Sequence, residues 1–115
     1  MTLVEAHPRA LEGLRATRSR LGAEQVEIIA GDALSVAAGL PAASFDVVFL
    51  DPPFDTRLQA PALDAARCLL GVDGLIYLEA PARLTPEQAQ KAGLEIIRQG
   101  SAGQVAFHLL RVPTA

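Results

Sequence analysis

The stretch Phe45-Asp46-Val47-Val48-Phe49-Leu50-Asp51-Pro52-Pro53-Phe54 decides the fold. Its first six residues are mostly apolar and aromatic or β-branched, and they read as the most buried strand of the chain. An acid, two prolines and an aromatic follow where that strand ends. In open α/β sheets ligands bind at the carboxyl ends of the strands. Each proline fixes its own φ and lacks an N–H, and each pushes the residue before it towards extended geometry. The loop is therefore stiff and has carbonyls to offer.

On either side, short apolar runs alternate with helical patterns. Leu3-Val4-Glu5 reads as the tail of a short parallel strand. Pro8 opens a helix to about Leu21, with Leu11, Leu14 and Leu21 along one stripe, and Gly22 ends it. Residues 26–30 are β-branched and apolar, a strand that Gly31-Asp32-Ala33 breaks. Residues 34–38 form a short helix closed by Gly39. Beyond the central stretch, residues 61–70 form a helix. Asp73-Gly74 then turns into a strand over residues 75–79, and Thr85-Pro86-Glu87 starts another short helix. Residues 94–98 and 104–111 are strands joined by Gly100-Ser101-Ala102-Gly103, a joint that reads as an antiparallel hairpin. Alternation of this kind gives an α/β fold, a mostly parallel sheet covered on both faces. With no repeats, no low-complexity stretch and no linker, residues 1–115 are expected to form one domain.

Composition narrows the function. Of 115 residues, 50% are hydrophobic and 20% charged, so the chain folds rather than staying disordered. No apolar run is long enough for a membrane span, and the N-terminus lacks a signal peptide's basic start and apolar core. Cys68 is the one cysteine. It excludes an internal disulfide, suits a reducing cytoplasm, and falls in an apolar helical pattern as a small core residue. No zinc-type Cys/His spacing occurs. The net charge of −3 argues against broad phosphate neutralisation, so nucleic acid would be met through local patches. Arg9, Arg15, Arg18 and Arg20 are the best such patch, although a solvated helix face is the plainer reading.

Three acids sit at the ends of successive strands: Glu5, Asp32 and Asp51. An acid after a strand of a nucleotide-binding α/β fold commonly holds ribose hydroxyls, a role Glu5 fits. Asp32 suits an adenine amino group, or only the cap of the helix after it. Asp51 suits chemistry on an exocyclic base amine. That nitrogen is a poor nucleophile because its lone pair is delocalised into the ring. Acceptors near its N–H groups, the Asp51 carboxylate and the Pro52 carbonyl, aim the lone pair and favour the charge that develops. Phe54 offers a face for an unstacked base. The plainer reading of Asp-Pro-Pro is a strand-ending turn.

The chain resembles the S-adenosylmethionine-dependent methyltransferases of the bacterial small-subunit ribosomal RNA guanine-N2 type, the family labelled methyltransferase D. The resemblance runs over Leu3-Val4-Glu5, Gly31-Asp32-Ala33, residues 45–54, residues 74–79 and the closing Gly103-Gln104-Val105-Ala106-Phe107-His108-Leu109-Leu110. The acid-Pro-Pro-aromatic element is shared with other amino methyltransferases and gives the reaction class, while the Gly-Gln-Val ending points to ribosomal RNA. The resemblance implies a Rossmann-like fold, S-adenosylmethionine as methyl donor, and ribosomal RNA or the small subunit as partner in the cytoplasm. It implies Glu5 at the ribose diol and Asp32 and Ala33 at the adenine. Asp51, Pro52, Pro53 and Phe54 form the catalytic loop, with Asp51 also beside the cofactor. His7 departs from the family, which carries an acid there.

The larger departure is the lack of a first strand and its glycine-rich loop; no Gly-x-Gly occurs in the chain. In the family that strand lies between the ones represented here by Leu3-Val4 and residues 45–50, and a gap in mid-sheet leaves backbone groups unpaired. Three expectations follow. The chain is an N-terminally truncated fragment, or its sheet closes over the gap, or it self-associates or pairs with another chain through exposed edges. The functional alternatives are a truncated, catalytically impaired methyltransferase-like module and an amino methyltransferase acting on DNA adenine or protein.

Overall fold

A computed structural model of the chain describes residues 1–51 and 56–113. It forms two compact units, residues 1–40 and 41–115.

The first unit is a strand–helix–strand. β1 (Thr2–Glu5) pairs in parallel with β2 (Glu27–Ala30), from Thr2 opposite Glu27 to Glu5 opposite Ala30. The helix between them, α1 (Pro8–Leu21), begins where Pro8 sets φ and His7 caps. The His7 Nδ1 accepts the Arg9 N–H at 3.2 Å. The helix ends at Gly22, whose φ of 61° is the left-handed geometry glycine adopts without a Cβ penalty. The expected Leu11, Leu14 and Leu21 stripe is shorter than anticipated: Leu11 is buried, but Leu21, on the last turn, is 69% exposed. Asp32 then caps α2 (Ala33–Gly39).

The second unit is a four-stranded sheet with the order β3-β4-β6-β5. β3 (Phe45–Leu50) runs parallel to β4 (Leu70–Ala80), linked through a 3₁₀ turn (Thr56–Leu58) and α3 (Gln59–Leu69). After α4 (Pro86–Lys91), β5 (Glu95–Ala102) and β6 (Val105–Arg111) form the antiparallel hairpin, and β6 pairs with β4. Leu63, Ala66, Leu70, Ile76, Leu78, Leu84, Leu94 and Leu110 build the core, with Val48 and Leu50 packed on it. α3 buries Ala62, Leu63, Ala66 and Leu69 at helical spacing.

Four expectations are corrected. The hairpin turn is Gly103-Gln104, because Ala102 pairs with Val105 and Gly100 to Ala102 lie within β5. Asp73-Gly74 is an irregularity inside one longer strand: β3 advances two residues from Phe45 to Val47 while β4 advances from Leu70 to Leu75. Cys68 is exposed, since it lies off the buried stripe of α3. β3 is an edge strand rather than the most buried one. Val48 and Leu50 face the core, but Val47 and Phe49, which alternate with them, are 45% and 71% exposed. Among the described residues β1 pairs with β2 alone, and β3 with β4 alone.

Candidate active site

In the first unit the parallel pairing of β1 and β2 brings Glu5 and Asp32 to one carboxyl edge. Glu5 is opposite Ala30, and Asp32 follows two residues later. Between them Gly31 donates its N–H to the Glu5 carbonyl at 3.0 Å. Its φ of 154° strains any other residue, and a Cβ there would sit 2.9 Å from Val36 Cγ2. Each carboxylate is half engaged. The Glu5 Oε1 accepts the His7 N–H at 3.1 Å. The Asp32 Oδ2 accepts the Ser35 N–H at 3.0 Å and the Ser35 hydroxyl at 3.2 Å. Glu5 Oε2 and Asp32 Oδ1 have no hydrogen bond among the described residues. Ala33, the first residue of α2, is exposed beside them. This edge thus offers two free acceptor oxygens, suited to hydroxyl and amino donors. Asp32 caps its helix and still presents an oxygen, so its two sequence readings coexist.

In the second unit Asp51 is exposed immediately after β3. Pro52, Pro53 and Phe54 lie outside the described residues. The register sets Phe49 opposite Tyr77, whose rings are 5.8 Å apart and tilted by 53°. The Tyr77 hydroxyl donates to Glu79 Oε1 at 3.2 Å. Desolvation holds the Tyr77 phenol above the usual tyrosine range, helped by the Glu79 charge and hydrogen bond and by the Asp51 charge. Asp51 therefore stands in an acceptor-rich, electronegative corner, and its carboxylate has no hydrogen-bond or ion-pair partner among the described residues. Such a corner attracts amine N–H groups and favours a nitrogen that gains positive charge.

The motifs in the sequence give no role to Tyr77 or Glu79. Their signal is the alternation in residues 75–79, which sends Tyr77 and Glu79 to the face opposite buried Ile76 and Leu78. His7 is expected only to depart from the family's acid. Its ring caps α1 and its N–H holds the Glu5 carboxylate, so it positions a candidate cofactor ligand.

A family model described as conserved hypothetical protein 95 matches residues 1–111. Among solved structures, "putative methyltransferase yhhF" from Escherichia coli is 27% identical with a TM-score of 0.77, over 95% of this chain and 60% of that one. "Putative methylase HI0767" from Haemophilus influenzae is 27% identical with a TM-score of 0.74, over 96% and 71%. A fibrillarin pre-rRNA processing protein from Methanococcus jannaschii, 19% identical with a TM-score of 0.74 over 95% and 54%, shares the fold. The fold is the Rossmann-like α/β fold of methyltransferases. The chain spans about 60% of the length of the Escherichia coli protein. No curated protein matches it. Among the described residues no helix is long and apolar enough to cross a membrane.

Proposed function

The chain belongs to the conserved hypothetical protein 95 family, and from that membership we propose that residues 1–115 are part of one methyltransferase domain, which uses S-adenosylmethionine to methylate the N2 amine of a guanine in small-subunit ribosomal RNA. The observation that carries this reading is the unpartnered Asp51 carboxylate at the carboxyl end of β3, next to Tyr77 and Glu79.

The residues present fit the cofactor: Glu5 Oε2 accepts from ribose hydroxyls, Asp32 Oδ1 accepts from the adenine amine, and Gly31 leaves the backbone uncovered between them. When bound there, S-adenosylmethionine would supply an electrophilic methyl group for the base nitrogen, with the carbon–sulfur electron pair left on sulfur. Asp51 accepts one N–H of the guanine amine, turning its lone pair out of conjugation, and stabilises the positive nitrogen. The proton then leaves to water or to the Asp51 carboxylate. Positioning supplies most of the acceleration, as in other in-line displacements.

The test is transfer of a labelled methyl group to small ribosomal subunits, with the product nucleoside identified by digestion. Asp51→Ala should lower transfer by about a hundredfold, as loss of a preorganised acceptor does, while cofactor affinity changes little. Equal loss of both contradicts the role given to Asp51. Free DNA and protein as competing substrates distinguish this target from an adenine or protein amine.

A second reading, a module impaired in catalysis, has one observation in its favour: among the described residues β1 and β3 each have a strand neighbour on one side only. Cofactor binding without transfer to any substrate would support it.

A further inference from the structure

The second unit carries a cleft of about 520 Å³ that the chemistry above does not use. Its walls are the start of α3, the segment of residues 81–84 and α4. It opens at the carboxyl end of β4. Because Leu50 is paired with Leu78, strand spacing and rise put the entrance to this cleft about 10 Å from Asp51.

Its polar lining is distinctive. Arg83 and Lys91 are its cations and Asp64 its one carboxylate, with Gln59 and Gln88 as neutral donors. Arg83 uses its Nε on the Ser101 hydroxyl at 3.3 Å, a neutral partner. Neither cation has a carboxylate within ion-pair distance among the described residues. Arg111, by contrast, is paired with Glu95. The Gln88 Oε1 is taken by the Thr85 N–H at 2.9 Å, which leaves its amide hydrogens as donors. In a chain of net charge −3, this cleft therefore holds one surplus positive charge and a majority of hydrogen-bond donors.

We propose that the cleft takes a phosphodiester of the polynucleotide that carries the target base, with Arg83 and Lys91 on its oxygens; this rests on the nucleic-acid methylation reading. One surplus positive charge matches one phosphodiester anion. A guanidinium and an ammonium supply the fork and the point charge that phosphate oxygens accept. The contact carries no base information and fixes the register of the strand at Asp51.

The test is fluorescence anisotropy with a labelled single-stranded 20-nucleotide RNA containing guanines, and with DNA of the same sequence, over a salt series. The chain is compared with Arg83→Gln/Lys91→Gln and with Arg98→Gln, an exposed cation on β5 outside the cleft; melting curves verify that each variant folds. The cleft variant should bind about tenfold more weakly, as loss of charged hydrogen bonds implies. Its slope of log affinity against log salt should fall by about 0.7, the value for one single-strand phosphate. The Arg98 variant should stay within about twofold of the unsubstituted chain, since it removes no contact in the cleft. Unchanged affinity and slope in the cleft variant would overturn the inference and leave methyl transfer untouched. Absence of polynucleotide binding by the unsubstituted chain would overturn it too. Cofactor titration judges the methyl-transfer reading separately in either case.

Discussion

His108 sits at the centre of the second unit and is fully buried. Its Nε2 accepts the Leu84 N–H at 3.0 Å, and its Nδ1 lies 3.2 Å from the Leu78 carbonyl. A neutral ring with the proton on Nδ1 satisfies both contacts. The ring thereby ties β6 to β4 and to the segment that leads into α4, which is one wall of the cleft that holds Arg83. His108→Phe fills the site with a somewhat larger ring and removes the acceptor, so the buried Leu84 N–H loses its partner at a cost of about 2 kcal/mol before any overpacking. His108→Ala adds a cavity, and its total is about 4 kcal/mol. A small domain has only about 5–15 kcal/mol of stability. The alanine variant should therefore melt about 15 °C lower. Urea unfolding followed by circular dichroism reads both values, and His108→Gln, which retains an acceptor, should fall nearer the parent than alanine does. A phenylalanine variant within about 0.5 kcal/mol of the parent would refute the reasoning, since an orphaned buried N–H costs more than that.

Two further outcomes follow from the second unit. Tyr77 is the only tyrosine, so absorbance at alkaline pH titrates it alone. Its folded pKa is raised, so its contribution to stability is complete below the ordinary tyrosine pKa of 10.0 and is lost as pH rises through the folded value. Glu79→Gln should bring the titration down towards 10.0 more than Asp51→Asn does, because the Glu79 interactions outweigh the Asp51 charge. Equal shifts, or a titration already at 10.0 in the parent, would contradict the account. Cys68, exposed on α3, should react stoichiometrically with a chromogenic disulfide reagent without denaturant; reaction only after unfolding would return it to the core.

The order of elements was readable because each apolar run is bounded by local signals. Pro8 and Gly22 bracket α1, and Thr85-Pro86 opens α4 with a complete capping box. The acids at the strand ends were readable for the same reason: the end of an apolar run is a local event, and Glu5, Asp32 and Asp51 each follow one. What escaped the sequence depends on lateral partners. The exposure of Phe49 depends on which strands flank β3, and six mostly apolar residues look the same at an edge as in the middle. The hairpin turn depended on the pairing of Ala102 with Val105, which selected Gly103 over Gly100. Gly100 instead lies under the Phe107 ring, where a Cβ would come within 2.5 Å of Cζ. The buried bonds of His108 join residues 24 and 30 positions apart, a relation no local pattern encodes.

The central claim is that the carboxyl edge of β1 and β2 holds the nucleoside of S-adenosylmethionine. Calorimetric titration of the 115-residue chain with S-adenosylhomocysteine tests it most directly. The account predicts saturable binding with one site per chain, weakened about tenfold or more by Glu5→Ala through lost charged hydrogen bonds. A folded sample that takes up no ligand, or one whose affinity is indifferent to Glu5, would contradict it.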